Sequence, residues 1–507
     1  MQQLATPQQA ARWLHSQVSG SLTTDSRQVR PGDGFLAWPG LATDGRNYVA
    51  AALAQGAAAC LVEQQDVANF HFDSDQVACY QDLKQACGSV ASAYFDQPSH
   101  QLAVLAITGT NGKTSTAWWL AQALTNLQQV KAIPCGVIGT LGVGQPPSAG
   151  RAAQLQPFGL TTPDPVLLQR YLHEFVSAGL QACAIEASSI GIEQKRLDAT
   201  QIHSAVFTNF SQDHLDYHGS MQDYWRAKAA LFQWPGLKAA VINVDDEKGA
   251  ELAATMAGGA VDLWTYSVRG PARLQAQDTR YDAHGLQFTV RENDETHCLK
   301  TRLIGQFNLS NLLAVIGTMR SVGVSLADAV QACTTLLPVP GRMECYAAPG
   351  QTLVAVDYAH TPDALAQALL ALRGLAEQRG GQLWCVFGCG GDRDASKRAL
   401  MGAMAASYAD RVVVTSDNPR SEKAQTIISQ ILLGLTGHPD VTVQADRGLA
   451  IQETLAASQK ADVVLIAGKG HETYQEVAGH KLPFSDAAQV QKFFQQHSAT
   501  ASQELAP

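Results

Sequence analysis

The run LAVLAI, residues 102–107, breaks off into TGTNGKTS and then into TAWWLAQALTNL. A short unbroken apolar run bounded by turn residues reads as a strand covered on both faces. The segment behind the glycine-rich break has helical spacing, so strand, loop and helix follow in that order. The pattern recurs down the chain. ACAIE, AVFTNF, AAVINVDDE, LWCVFGCGGDRD, RVVVTSDNPR and DVVLIAGKGHE are apolar runs that each end in a polar cluster. This alternation predicts an α/β protein built on parallel sheets with helices on both faces. In open sheets of this kind ligands bind beyond the carboxyl ends of the strands, so the polar clusters read as one set of site residues.

At 507 residues the chain has room for about three domains of ~150 residues each. Two breaks divide it: FDQPSHQ at 95–101 and the Pro/Gly-rich LLPVPGRMECYAAPGQ at 336–351. The expected domains are therefore 1–99, 100–339 and 340–507. Apolar residues make up 46% and charged residues 16%, which supplies cores and excludes a disordered chain. A net charge of -9 with no Lys/Arg-rich run argues against a nucleic-acid partner and leaves room for local anion sites. MQQLATPQQAARWLHSQ has no basic segment followed by an apolar core, and no apolar stretch is long enough to span a bilayer. The ten cysteines include no C-x-x-C pair. The expectation is a cytoplasmic chain with reduced core thiols, no structural zinc and no membrane insertion.

ITGTNGKTS, residues 107–115, is where a nucleotide is expected. Backbone N–H groups of Gly109, Thr110, Asn111 and Gly112, continued by Lys113, Thr114 and Ser115, make an anion cradle at a helix start. Lys113 would reach the outer phosphates, and the Thr114 hydroxyl a Mg²⁺ ion. The longer form of such a loop would carry glycine at Ile107; this chain matches the shorter G-T-N-G-K-T. A glycine-rich turn with an exposed lysine is the alternative, and the order of strand, loop and helix speaks against it.

Further motifs follow: EASS (186–189), NFSQDHLDYHG (209–219), GQFNLSN (305–311), PGRME (340–344) and DYAHTPDAL (357–365). Together with GTNGKTS, and in this order, they resemble the Mur ligase family over essentially the whole chain. The resemblance implies an N-terminal UDP-binding domain, a central ATP-binding domain on a P-loop-type parallel sheet, and a C-terminal Rossmann-like domain that binds the amino acid. It implies an ATP-dependent amide ligase of peptidoglycan synthesis, a monomer acting on small molecules. FGCGGDRD, SDNPR and AGKGHE resemble those members that add meso-2,6-diaminopimelate to UDP-N-acetylmuramoyl-L-alanyl-D-glutamate. ATP would phosphorylate the D-glutamate carboxylate, and the incoming amine would displace phosphate from the acyl phosphate.

By the same resemblance Lys113 contacts the β- and γ-phosphates, Thr114 the first Mg²⁺, and Glu186 and His214 the second. Lys228, in DYWRAKAALF, matches a carbamylated lysine. Adding CO₂ turns an ammonium that Mg²⁺ would repel into an anionic oxygen ligand, the kind that hard cations prefer. Asn308 and Asn311 resemble adenine-side contacts, with Phe307 packing on the base. Arg342 resembles a phosphate-reaching arginine brought in by domain closure, and Asp357 a ribose contact. Thr24 and Ser26 in TTDSR, with Leu41, Ala42 and Thr43 in PGLATDGR, resemble uridine-binding loops. Thr161, Thr162, Ser188, Gln194 and Arg196 resemble contacts to the muramoyl-dipeptide. Ile190 departs from the pattern: many relatives carry His after the paired serines, and an apolar side chain donates no hydrogen bond.

TSDNPRSE, residues 415–422, follows an apolar run, and Asp-Asn-Pro is ordinary turn chemistry. Diaminopimelate gives it a second meaning. Its far end carries an ammonium and a carboxylate, whereas lysine has only the ammonium there. Arg420 offers a planar fork for the carboxylate and Arg393 a second contact. Glu472 takes the ammonium, Asn418 bonds either group, and Pro419 stiffens the turn, with Gly468 in the neighbouring loop. Asp417 binds the ammonium or orients Arg420. A lysine substrate would leave the arginines desolvated and unmet. The two arginines thus argue against a lysine-adding relative. D-N-P-R and G-K-G-H-E argue against one that adds D-alanyl-D-alanine. Intact Lys113, Glu186, His214 and Lys228 argue against a nucleotide-binding regulator.

Overall fold

The computed structural model describes residues 1–503 apart from 41–42, 128–131, 149, 283–284 and 348–350. Leu41 and Ala42, expected in a uridine loop, lie outside the described residues. Among those described, no helix is long and apolar enough to cross a membrane.

The first sheet is parallel, in the order Gln2–Leu4, Val77–Tyr80, Ala59–Glu63, Gly34–Ala37, Leu22–Thr23. The second has eleven strands, and six consecutive ones form its parallel centre. These are Asp262–Ser267, Ala239–Asn243, Ser204–Phe207, Ala103–Thr108, Ala182–Glu186 and Cys135–Gly139. Successive side chains of a strand point to opposite faces. Leu105 and Ile107 accordingly bury against helices Lys113–Thr125 and Phe307–Ser321, through Trp118, Leu120 and Leu312. Val104 and Ala106 bury on the other face with Leu168 and Leu172 of helix Pro165–Ser177. Both faces are covered, which is why LAVLAI is unbroken. Each large apolar side chain so buried contributes about 1.5–3 kcal/mol.

The parallel centre does not end the sheet. Gly142–Gln145 and Gln154–Gln156 extend one edge antiparallel; on the other, Leu274–Asp282 joins Asp262–Ser267 in parallel, and Gly285–Glu292 and Glu295–Thr301 continue from it antiparallel. Gly285–Glu292 and Glu295–Thr301 mix buried with half-buried or exposed residues, so they contain no continuous apolar run and escape the signal that found the centre.

The third sheet runs Glu344–Tyr346, Leu353–Asp357, Val463–Ala467, Leu383–Phe387, Arg411–Val414, Val441–Val443, with only its first strand antiparallel. A separate hairpin, Tyr474–Val477 with His480–Pro483, lies beyond it. The three sheets touch through their helices and loops. Val166 of helix Pro165–Ser177 is buried in the first core, and Ile304 and Phe307 pack against the third.

One buried ion pair ties the third sheet to the last helix. Arg447 donates from Nε and Nη2 to the two oxygens of Asp486 at 2.8 Å each, and both side chains are 0% exposed. Arg447 Nη2 also reaches the Ala467 carbonyl at 2.9 Å, at the end of a strand. Removing one partner leaves the other charge buried without relief. Asp486→Ala should therefore cost about 3–5 kcal/mol. Hydrogen exchange in strand Val463–Ala467 should quicken accordingly; unchanged protection would mean the pair holds nothing there.

Candidate active site

Three strand ends converge on one loop. Gly109 follows Ala103–Thr108, Glu186 ends Ala182–Glu186, and Thr208 and Asn209 follow Ser204–Phe207. Gly109 has φ +145° and Gly112 φ +83°, conformations that other residues adopt at a cost. A Cβ on Gly109 would collide with Thr208 Oγ1, and one on Gly112 with Asn311 Oδ1. The neighbouring strand end braces the loop. The Thr110 N–H donates to the Asn209 carbonyl at 2.8 Å, and the Asn111 N–H to Asn209 Oδ1 at 2.9 Å. Helix Lys113–Thr125 starts from Gly112 with no side chain capping its first amides. An uncapped helix start behind a glycine turn is a seat for an anion. Ser115 is buried in that first turn.

Two lysines share one acceptor. Lys113 Nζ donates to the Gly109 and Thr110 carbonyls, each at 2.8 Å. Lys228 Nζ donates to the same Gly109 carbonyl at 2.7 Å and lies 4.4 Å from the centre of the Tyr224 ring. Burial lowers both amines from their ordinary value, with Glu186 and Asp213 partly restoring Lys113. Lys228 falls well below, by burial first and then by the nearby Lys113 charge.

Glu186 is 1% exposed and receives three donors. Thr114 Oγ1 lies at 2.9 Å, the Thr140 N–H at 2.8 Å and Thr140 Oγ1 at 3.1 Å. His214 sits 3.4 Å from Asp213. Burial brings its ring down to about 4, Asp213 opposing and Lys113 and Lys228 assisting, so at neutral pH it offers a lone pair. Burial opposes the charge on Asp213, but the His360 hydrogen bond, with the charges of His360, His214 and Lys397, leaves its carboxyl far below the usual range. The Thr114 hydroxyl and the Glu186 carboxylate, bonded to each other beside the anion seat, are oxygen groups of the kind that Mg²⁺, a hard cation, prefers.

The third sheet closes over this loop. Arg342 Nη2 lies 3.4 Å from Thr114 Oγ1, and the guanidinium stacks 4.3 Å from the Tyr358 ring centre. Asn111 Nδ2 reaches Asp363 at 3.3 Å, and His360 Nε2 is 3.8 Å from Asp213. Asp357, expected at a ribose, accepts the Met343 N–H at 2.7 Å and the Ala359 N–H at 2.8 Å. It thereby anchors the segment that presents Arg342. Asn311 Nδ2 donates to Asn308 Oδ1 at 2.9 Å, and Asn308 Nδ2 to the Ile304 carbonyl at 2.6 Å. This buried pair backs Gly112, while Phe307 packs on the third core.

On the other side of Glu186, Thr161 Oγ1 lies 3.2 Å from Thr140 Oγ1. Thr162 Oγ1 donates to the Glu186 carbonyl at 2.7 Å and lies 3.0 Å from Ser188 Oγ. Arg196 reaches the Thr162 carbonyl at 2.8 Å and Gln194 Oε1 at 2.7 Å. These five predicted contacts are thus one patch. Ile190 puts no donor there. The imidazole that meets the serine pair comes from His218, 2.9 Å from Ser189 Oγ and 3.1 Å from Glu193. Thr24 and Ser26 flank Asp25, which caps the short helical turn Ser26–Gln28 near the first sheet, and Thr43 Oγ1 lies 3.2 Å from the Tyr48 hydroxyl.

The strand ends of the third sheet gather the remaining residues. Arg420 has φ +52° and is held by the hairpin: its N–H donates to the Glu476 carbonyl at 3.0 Å, and its carbonyl accepts from Ala478 at 2.7 Å. Arg420 Nη1 donates to the Gly391 carbonyl at 2.7 Å, and Nε lies 3.5 Å from Glu476 Oε2. Arg393 is exposed and meets no carboxylate among the described residues. Asn418 Nδ2 donates to Glu472 Oε2 at 2.8 Å. A Cβ on Gly468 would collide with Asp417 Oδ2, so glycine there lets the two loops close up. Pro419 is in the turn, its carbonyl accepting from Glu422 at 3.0 Å.

The comparisons with known proteins agree along the chain. The Mur ligase middle domain family matches residues 107–319, the Mur ligase glutamate ligase domain 341–470, and the Mur ligase family catalytic domain 20–94. The chain belongs to the Mur ligase family. A UDP-N-acetylmuramoyl-L-alanyl-D-glutamate–2,6-diaminopimelate ligase from Acidovorax sp. (strain JS42) is 59% identical over 488 residues, covering 96% of each chain. One of the same description from Janthinobacterium sp. (strain Marseille) is 46% identical over 94% of each. A solved structure of a ligase so described has TM-score 0.62 at 34% identity, covering 94% of this chain and 95% of that one. MurF from Thermotoga maritima in complex with ADP, at 19% identity and TM-score 0.67, covers 96% and 98% and shares the fold.

Several residues of this Mur ligase site carried no role in the sequence. Asp213, Tyr224 and His360 lie inside quoted motifs, yet only the fold brings them to the phosphate loop. Thr140 and Glu476 lie in ordinary-looking segments, and Lys469 looks like a solvent-facing lysine. Lys113→Ala should cut turnover of this Mur ligase by at least about 10²-fold at saturating nucleotide, because the moving phosphoryl charge loses a preorganised donor. Phosphate release near the wild-type rate would refute the phosphate-loop assignment.

Proposed function

We propose that this Mur ligase joins 2,6-diaminopimelate to UDP-N-acetylmuramoyl-L-alanyl-D-glutamate, forming ADP and phosphate. One observation carries the reading. Arg342 reaches Thr114 of the uncapped phosphate loop at 3.4 Å and, at 3.4 Å, His471, the neighbour of Glu472, so the loop that carries the Lys113 and Lys228 amines is linked to the strand ends that offer guanidinium, amide and carboxylate together. The relative 59% identical over 96% of the chain bears the matching description. The first domain, 1–99, holds the uridine end through Thr24, Ser26 and Thr43; the second, 100–339, holds ATP; the third, 340–507, holds the amino acid.

The loop amides and Lys113 seat the phosphates and stabilise the charge that develops as the γ-phosphoryl group moves to the D-glutamate carboxylate. Thr162, Ser188, Gln194 and Arg196 orient that carboxylate. Arg342 adds a cation from the closing domain, which also excludes water from the acyl phosphate. The amine of the bound amino acid then attacks the acyl carbon, an amide forms, and phosphate leaves. Thr114, Glu186, His214 and modified Lys228 would hold Mg²⁺, which when bound neutralises phosphate charge and aligns the reacting oxygens. The acidic charge of -9 suits an enzyme of soluble small molecules, and the reading has it act as a cytoplasmic monomer.

Carbamylation of Lys228 has its own support. Burial lowers the amine well below its ordinary value and so favours the neutral form, and a neutral amine adds to CO₂, losing a proton to give the carbamate. Wild type in labelled bicarbonate should show a carbamate carbon signal that Lys228→Ala lacks. That variant should be inactive and partly rescued by small carboxylic acids; an equal signal in both proteins would sink the assignment.

Arg420 sets the choice of amino acid by a charge-assisted contact to the far carboxylate. Arg420→Ala should lower the ratio of kcat/KM for diaminopimelate over lysine by about 10²-fold, and Arg420→Lys should rescue it poorly. An unchanged ratio would reduce the arginine to a turn residue.

A further inference from the structure

Lys469 stands directly behind the amino-acid turn and is 0% exposed. Its Nζ donates to Asn418 Oδ1 at 2.9 Å and to Glu472 Oε2 at 2.8 Å. The same Asn418 oxygen accepts the Glu476 backbone N–H at 2.9 Å. An amide oxygen that receives two donors cannot be exchanged for the NH₂ end without setting donor against donor. The Asn418 amide is therefore locked, and its Nδ2 is forced toward Glu472 Oε2, which it meets at 2.8 Å. The consequence falls on Glu472. Its Oε2 is held by two protein donors, while Oε1 meets none among the described residues. A carboxylate clamped at one oxygen and free at the other presents an ammonium acceptor in one fixed direction.

The hairpin Tyr474–Val477 with His480–Pro483 supplies the opposing side of the clamp. Besides the Glu476 N–H, Gln475 Nε2 donates to Ser416 Oγ at 2.8 Å and to the Asp417 carbonyl at 2.7 Å. The turn backbone is thus fixed from one side and its polar side chains from the other.

We propose that Lys469 is a positioning residue for the far ammonium of the incoming diamino acid, acting through the Asn418 amide and the Glu472 carboxylate. The proposal rests on the diaminopimelate reading and goes beyond it. Arg420 recognises the far carboxylate, and Lys469 sets the geometry that recognises the far ammonium. Without the lysine, Asn418 keeps only the Glu476 N–H on its oxygen and Glu472 loses one of the two donors that hold its Oε2, so the carboxylate is free to rotate and the ammonium loses a directed partner while the far carboxylate keeps its own.

The test compares wild type, Lys469→Met and Lys469→Gln on diaminopimelate and on 2-aminopimelate, which keeps the far carboxylate and lacks the far ammonium. Lys469→Met should raise KM for diaminopimelate about 10- to 100-fold. It should leave KM for ATP and for the UDP-dipeptide within about 2-fold. The preference for diaminopimelate over 2-aminopimelate should shrink by the same factor as the KM change. Lys469→Gln, which retains a donor, should fall between, and it carries the comparison if Lys469→Met does not fold. An unchanged preference overturns the proposal, as does an equal rise in all three KM values. Failure of both variants to fold also overturns it, since the lysine is then a residue of the core. A wild type that releases no phosphate with diaminopimelate refutes the ligase reading instead, before any variant is compared.

Discussion

The Gly109 carbonyl oxygen accepts from Lys113 at 2.8 Å and Lys228 at 2.7 Å. Much else in the molecule follows from that sharing. Two amines packed on one neutral acceptor repel each other when protonated, and burial removes the water that would screen them. Neither has a carboxylate within ion-pair distance among the described residues. The arrangement is costly without an anion and relieved by one. It also explains the close packing around it: a glycine at 109, where a side chain would strike Thr208, and Asn311 filling the space against Gly112. Donors held in place before the ligand arrives need no reorganisation during the reaction, which is the physical basis of electrostatic catalysis.

The turn at the strand ends of the third sheet is built by the opposite strategy. There the charges are paired in advance, Lys469 with Glu472 and Arg420 with Glu476, and each pair leaves one direction open. Arg420 is held in the left-handed region by backbone bonds to a hairpin more than fifty residues away, so the fork is aimed by tertiary contact and not by the turn alone. The two ends are brought to register by the segment around Arg342. Asp357 fixes that segment through two backbone amides, and Tyr358 carries the guanidinium toward Thr114. Arg342, Asp363 and His360 thus reach the phosphate loop from the same part of the chain.

The legible part of the fold was the part with unbroken apolar runs. Those runs arise where both faces of a parallel strand are covered, and they led directly to the centres of the second and third sheets. The antiparallel strands at the two edges of the second sheet are short or mix exposed with buried residues and carry no such mark. Within the site, the motifs brought Thr114, Glu186 and Arg342 together as their order implied. Asp357 has a part that the motifs did not show: its carboxylate accepts the amides of Met343 and Ala359. The role of Ile190 was illegible for the same reason, since the imidazole beside the serine pair comes from His218.

The sequence by itself determined the kind of protein: parallel α/β sheets, a phosphate loop opening a helix, and a charged turn at a strand end. Those properties are local, encoded in runs of hydrophobicity and in glycines that permit unusual backbone. Tertiary structure alone decided which groups act as partners. Whether Lys228 is a surface lysine or a buried amine on Gly109, and whether Lys469 faces water or locks Asn418, depends on what the rest of the chain packs against it. A lysine's chemistry is set by its dielectric surroundings and its neighbours' charges, and both are assembled from residues far apart in the chain.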